Sequence, residues 1–210
     1  MAAWLVVASF STATLTGQTA IEWSSARKLS RDDFKGRAPL SGPAESMSWI
    51  NIDASWECES GQLVAHARAT FDPALSWWRL GRGSVWGDAG DSRTSASRAQ
   101  LNARTSLLQR DAQLLDHEQL HFDIAEVAAR KIRARFEEFR NACAEPGLTE
   151  PIAQIITAID RELQEEQVRY DRETAHGANA GVQDSWRRRI RQRLADLPER
   201  SHATAAPPQR

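Results

Sequence analysis

Leu114-Leu115-Asp116-His117-Glu118-Gln119-Leu120-His121-Phe122-Asp123-Ile124-Ala125-Glu126 lies near the middle of a 210-residue chain, and its reading decides the rest. His117 and His121 are four residues apart, so on a helix they stand on one face, one above the other. Two imidazoles so placed reach one metal ion. Glu118 is rotated from His117 by about a quarter turn, which sets it beside such an ion. His-Glu-x-x-His on a helix is the arrangement in which zinc lowers the pKa of water towards ~7 and the glutamate takes the proton. Leu114, Ile124, Ala125 and Ala128 share the histidine face, so both rings are expected to point into the core, where a metal supplies the partner that buried histidines need.

Outward from this segment the periodicity stays helical. Leu107, Leu108, Leu114, Leu115, Ile124, Val127, Ile132 and Phe136 recur at helical spacing from about Arg98 to about Phe139. Pro146, Gly147 and Pro151 separate this helix from a second, striped by Ile152, Ile155, Ile156, Ile159 and Leu163. The second helix is predicted to run to Ala175, with Gly177 as a left-handed cap. Trp186, Ile190, Leu194 and Leu197 mark one face of a third helix.

Upstream the period changes to two. Trp49 to Ala54 alternates, as does Leu63 to Phe71 with its apolar residues at odd positions, and Glu59-Ser60-Gly61-Gln62 between them reads as a turn. An antiparallel hairpin follows. His66 falls on its polar face and is read as an exposed strand residue. Gly81 to Ser97 reads as a long surface loop. The fold class is therefore α+β: a small antiparallel sheet packed on the metal-bearing helix, with two further helices behind.

The ends carry different signals. Ala2 to Phe10 is an apolar run too short to span a bilayer. Ser11-x-Ala13 follows it, so residues 1–20 are read as a leader or signal peptide and the mature protein is expected outside the cytoplasm, periplasmic or secreted. The domain proper is 21–197, a single domain, and 198–210 reads as a disordered tail. The formal net charge of −1 excludes a nucleic-acid binder driven by bulk charge, and Arg187, Arg188, Arg189, Arg191 and Arg193 are read as a solvated helix face. No integral membrane span is expected. Cys58 and Cys143 lie too far apart for a C-x-x-C pair; they close a disulfide in an oxidising compartment or remain two buried thiols.

Several segments resemble a bacterial domain-of-unknown-function family, DUF922, grouped with predicted zinc-dependent proteases. They are Arg27-x-Leu29 through Asp33-Phe34-Lys35-Gly36, then Phe71-Asp72-Pro73 with Ser76-Trp77, the Leu114–Glu126 block, and Tyr170-Asp171-x-x-Thr174-x-His176-Gly177, extended by Gln183 and Trp186. The resemblance implies a zincin-like metalloprotease domain, Zn2+ as cofactor and a protein or peptide substrate. Glu118 would be the general base on zinc-activated water, with His117 and His121 as ligands. A catalytic zinc takes a third protein ligand. His176 is favoured, because the family-like block centres on it and histidines are scarce. Glu162, Glu166, Asp171 and Glu173 are its rivals. Tyr170 is a candidate for stabilising an oxyanion, and Asp123 and Glu126 for orienting the histidines. The alternative is a non-catalytic binding or scaffolding protein of the cell envelope that keeps the same fold.

Overall fold

A computed structural model of the chain describes residues 20–42, 44–79, 98–143 and 147–197. The expected leader, the Gly81–Ser97 loop and the 198–210 tail lie outside them. The elements are strands β1 (Ile21–Glu22), β2 (Ser46–Met47), β3 (Ile50–Glu59), β4 (Gln62–Phe71) and β5 (Trp77–Trp78), then helices α1 (Arg98–Phe136), α2 (Thr149–Thr174) and α3 (Ala180–Asp196). A 3-10 turn at Glu137–Phe139 extends α1, close to the end that the periodicity predicts.

β3 and β4 form the expected hairpin, with Glu59 opposite Gln62 and Ile50 opposite Phe71. The two residues between, Ser60 and Gly61, have φ of 51° and 81°. Positive φ at both positions is the turn whose twist matches that of the strands it joins. β1 pairs with the other edge of β4, giving the antiparallel order β1-β4-β3. Leu63, Ala67, Ala69 and Phe71 are buried on the face that meets α1, as the alternation requires. Phe71 lies 5.1 Å from the Phe34 ring and 6.2 Å from Phe122 of α1, so aromatic contacts carry the sheet onto the helix.

α1 is the central beam, with the sheet on one side and α2 and α3 on the other. Every residue from His117 to Arg130 is buried, polar ones included. That is costly unless each polar group finds a partner. Glu126 receives Arg130 Nε at 2.9 Å and Arg133 Nη2 at 2.9 Å, while Arg130 Nη1 donates to the Leu194 and Leu197 carbonyls at 2.7 and 2.6 Å. Asp123 accepts from Trp23 Nε1 at 2.8 Å and from Gln119 Nε2 at 2.7 Å. Asp123 and Glu126 thus tie the helix to its neighbours and bond to neither histidine. Among the described residues, no helix is long and apolar enough to cross a membrane.

A second, two-stranded ribbon stands beside the sheet, pairing β2 with β5 through Ser46↔Trp78 and Met47↔Trp77. Its position is set by close backbone packing. Gly36 N donates to Ser76 O at 2.7 Å, and a β-carbon on Gly36 would stand 2.7 Å from the Ala74 and Ser76 carbonyl oxygens. Ser76 Oγ donates to Asp72 O at 2.6 Å and accepts from Trp49 N at 2.8 Å. These contacts lock residues 46–49 against the strand that follows the hairpin.

Cys58 and Cys143 form a disulfide across 85 residues, joining the hairpin to the segment beyond α1. Leu63 N, donating to Arg140 O at 2.7 Å, fastens the same corner. A loop of that length confers on the order of 4 kcal/mol through restriction of the unfolded chain. Alkylation of unreduced, denatured protein should therefore find no free thiol at these positions, and Cys58→Ser should lower the melting temperature by many degrees. Two alkylated thiols in the native preparation would contradict the bond.

Candidate metal centre

His117 and His121 project from α1 towards α2, and the structure brings Asp171 of α2 up to meet them. Asp171 Oδ1 lies 3.1 Å from His117 Nε2 and 2.9 Å from His121 Nε2, and the two Nε2 atoms are 3.1 Å apart. A triangle with sides of this length leaves its corners about 2 Å from a point just off its plane, the bond length of zinc to imidazole nitrogen and carboxylate oxygen. These three side chains can hold a metal ion.

The other ring nitrogens explain why the triangle faces inward with lone pairs. His121 Nδ1–H donates to Gln167 Oε1 at 2.5 Å, and Gln167 Nε2 returns a bond to the His121 carbonyl at 3.0 Å. His117 Nδ1 lies 3.4 Å from Gln183 Oε1 of α3. With both Nδ1 atoms as donors, each Nε2 presents a lone pair to the same point as a carboxylate oxygen. Three converging acceptors call for a cation. Without a metal a proton does part of that work. Burial alone would lower the His121 pKa, but the hydrogen bond and charge of Asp171, with help from Glu118 and Gln167, outweigh it and the net shift is upward. Burial pushes the Asp171 carboxyl up, yet its bonds to both histidines prevail and hold it well below the usual carboxylate range.

Tyr170 packs against both imidazoles, stacked on His117 at 4.7 Å and T-shaped to His121 at 4.8 Å. Its hydroxyl donates to Gln183 Oε1 at 2.7 Å, and burial raises its pKa. Tyr170 is therefore part of the wall that orients the rings, and not the oxyanion donor considered from the sequence. Glu118 turns to the β2–β5 ribbon. Ser46 Oγ donates to one carboxylate oxygen at 2.5 Å and Ser48 Oγ to the other. Both serines and Glu118 are buried.

His176, the favoured third ligand, stands at the rim. Its side chain is 75% exposed, with Nδ1 3.6 Å from Asp171 Oδ1, and the third corner of the triangle is its rival Asp171. The remaining rivals are engaged elsewhere: Glu162 with Lys131, Glu166 with Arg193, and Glu173 with Trp186 Nε1. α2 ends one residue before the prediction, and its left-handed cap is Ala175 (φ 49°), followed by His176 (φ 53°) and Gly177 (φ 81°). At Gly177 the close approach is real, since a β-carbon would lie 2.9 Å from His117 Cβ. His66 pairs with Glu57 on the exposed strand face, as expected. Four residues escaped the sequence reading as site components. Gln167 stands four before Asp171 on α2, a spacing that reveals it, and Gln183 was flagged only as part of a family-like block. Ser46 and Ser48 sit in and beside a two-residue strand, which has no periodic signal.

The paired shifts give a pH dependence with a definite sign. In metal-free protein the raised His121 pKa means that the ion pair stabilises fully below the ordinary value of 6.5 and fades as the pH rises through the raised value. Asp171, being depressed, stays ionised throughout that window. The melting-temperature gap between chelator-treated wild type and Asp171→Asn should thus be widest near pH 6 and narrow towards pH 9. A gap that widens with pH would contradict the pairing.

The comparisons with known proteins fall on this part of the chain. No curated protein and no solved structure matches it. One family model does, over residues 86–177, which hold both histidines, Glu118, Asp171 and the Ala175–Gly177 turn. The upstream blocks around Phe34 and Phe71, and Gln183 and Trp186 downstream, lie outside the matched residues. The stretch that carries His117, His121 and Asp171, residues 86–177, thus matches the model of DUF922, described as bacterial protein of unknown function.

Proposed function

We propose that the chain is a zinc-dependent peptide hydrolase that works outside the cytoplasm. The observation that carries this reading is the convergence of His117 Nε2 and His121 Nε2, on the helix that also carries Glu118, with Asp171 Oδ1 of α2, all within 3.1 Å of one another. Two neutral imidazoles and one carboxylate are the donor set of a catalytic zinc, leaving a position open. Zinc bound there supplies Lewis acidity, which polarises a carbonyl and acidifies water. Glu118 then acts as the general base. It takes the proton of the attacking water and delivers it to the departing amine, so the tetrahedral adduct collapses with C–N cleavage. Ser46 and Ser48 donate to its two oxygens, which keeps the carboxylate in one rotamer and leaves each oxygen a further lone pair. The rim at Asp171 and His176 is the half-open side from which a peptide can approach. The Cys58–Cys143 disulfide supports an oxidising compartment.

The two kinds of residue should fail differently. Wild type should bind about one zinc per chain and cleave members of a peptide library. Glu118→Gln should keep its zinc while hydrolysis falls by about a hundredfold or more. Asp171→Ala should lose zinc, because a coordinating bond is gone, whereas His176→Ala should retain most of it. Hydrolysis at the wild-type rate by Glu118→Gln would end the mechanism. Zinc binding with no cleavage of any peptide would favour the non-catalytic alternative.

A further inference from the structure

We infer that Asp116 is a positioning residue for the metal centre: acting through Gln183, it fixes the orientation in which His117 offers Nε2 to a cation. The inference rests on the metal reading of His117, His121 and Asp171 and adds a residue that contacts none of them through its own side chain.

A glutamine amide can face its surroundings two ways round, and the two ends have opposite hydrogen-bonding character. Gln183 Nε2 lies 3.2 Å from Asp116 Oδ2. An ionised carboxylate only accepts, so the end of Gln183 that faces Asp116 must be the NH2. Its carbonyl is thereby turned the other way, where Oε1 accepts from Tyr170 at 2.7 Å and meets His117 Nδ1 at 3.4 Å. His117 Nδ1 is then the protonated nitrogen and Nε2 carries the free lone pair. Were Gln183 reversed, its NH2 would face Nδ1 and favour the tautomer with the proton on Nε2, which cannot ligate a metal. Arg187 of α3 donates to the same Asp116 oxygen and holds the carboxylate in place.

The other histidine shows why Asp116 is needed. Gln167 closes on His121 alone, accepting from Nδ1 and donating to the His121 backbone carbonyl. The backbone oxygen is always an acceptor, so that clamp sets its own direction. Gln183 has no such oxygen on its amide side, and a side chain supplies one instead. Asp116 and Arg187 also line a cavity of about 790 Å³ between residues 23–29, α1 and α3, which none of the three proposed ligands touches. The chain of bonds from His117 thus ends in the wall of a cavity that the three ligands do not line.

A double-mutant cycle on zinc affinity tests the routing, with the full-length chain and a chromophoric chelator as competitor. Asp116→Asn is nearly isosteric but can donate as well as accept, which frees Gln183 to turn. Asp116→Asn and Gln183→Met should each weaken zinc binding by about tenfold or more. The double variant should be no weaker than Gln183→Met alone, because the route is already cut. Wild-type affinity in either single variant would overturn the inference, and losses that multiply in the double variant would overturn the routing through Gln183. Should Asp116→Asn fail to fold, Asp116→Ala takes its place in the cycle with the same expected outcomes. If wild type itself takes up no zinc, the metal reading fails and this inference with it. Zinc-binding wild type with an unaffected Asp116→Asn sinks this inference alone.

Discussion

Two imidazoles and a carboxylate oxygen aimed at one point from two helices are the constraint around which the described structure is organised. Lone pairs that converge repel unless a cation sits among them, and burial removes the water that would otherwise relieve the strain. Each group must therefore be held from behind. Gln167 and Gln183 take the outer nitrogens, Tyr170 packs against both rings, and Gly177 lets the chain pass close to His117. Removal of any of these would free a ring to rotate away from the shared point. The helices are placed so that these supports arrive together: α2 brings Gln167, Tyr170 and Asp171 on one face, and α3 brings Gln183.

The same logic explains why α1 is buried all round between His117 and Arg130 although it is rich in polar residues. A helix packed on one side by the sheet and on the other by α2 and α3 cannot keep a solvated face at that level. Its other polar groups become fastenings. Asp123 and Gln119 bind the segment around Trp23 and Leu29, Glu126 anchors Arg130 and Arg133, and Arg130 reaches the C-terminal carbonyls of α3. The site residues and the residues that hold the fold thus alternate along one helix. Substitutions at Asp123 or Glu126 are consequently expected to act on stability first.

What was legible in the sequence was what repeats locally. The histidine pair, the long helix around it and the hairpin with its odd-numbered core residues all follow from periods of 3.6 and 2 that a dozen residues suffice to reveal. Asp171 was visible as one rival among several, because its choice over His176 depends on how α2 packs against α1, and that angle is not written in either helix alone. Ser46 and Ser48 were invisible for a related reason. They reach Glu118 only because Gly36, Asp72 and Ser76 lock the β2–β5 ribbon against the end of the hairpin. The blocks around Phe34-Lys35-Gly36 and Phe71-Asp72-Pro73 carry a family resemblance but no role legible in the sequence. Their role in the structure is to build the platform from which the two serines hold the glutamate. Cys58 and Cys143 were left open between disulfide and thiols, since 85 residues separate them and only the meeting of the hairpin with the end of α1 brings them together.

The turn after α2 shows how the rim differs from the wall behind it. Ala175 and His176 both take left-handed conformations that cost a side-chain-bearing residue roughly 1 kcal/mol or more apiece. Gly177 follows with the same sign of φ at no such cost. Backbone bonds from His176 N to Asp171 O at 3.0 Å and from Asn179 N to Thr174 O at 2.9 Å hold the turn closed. A looser exit from α2 would avoid the strain, but it would carry residues 177–179 away from His117 and with them the start of α3. Since α3 bears Gln183, the strained turn is what delivers the support of His117 to its place. Asn179 completes the hand-over, its side chain accepting from Val182 N at 3.3 Å to start the helix. The exposure of His176 is then a consequence of the same geometry. The residue sits at the apex of a turn whose backbone is fixed by the contacts around His117, with its ring left at the opening beside Asp171.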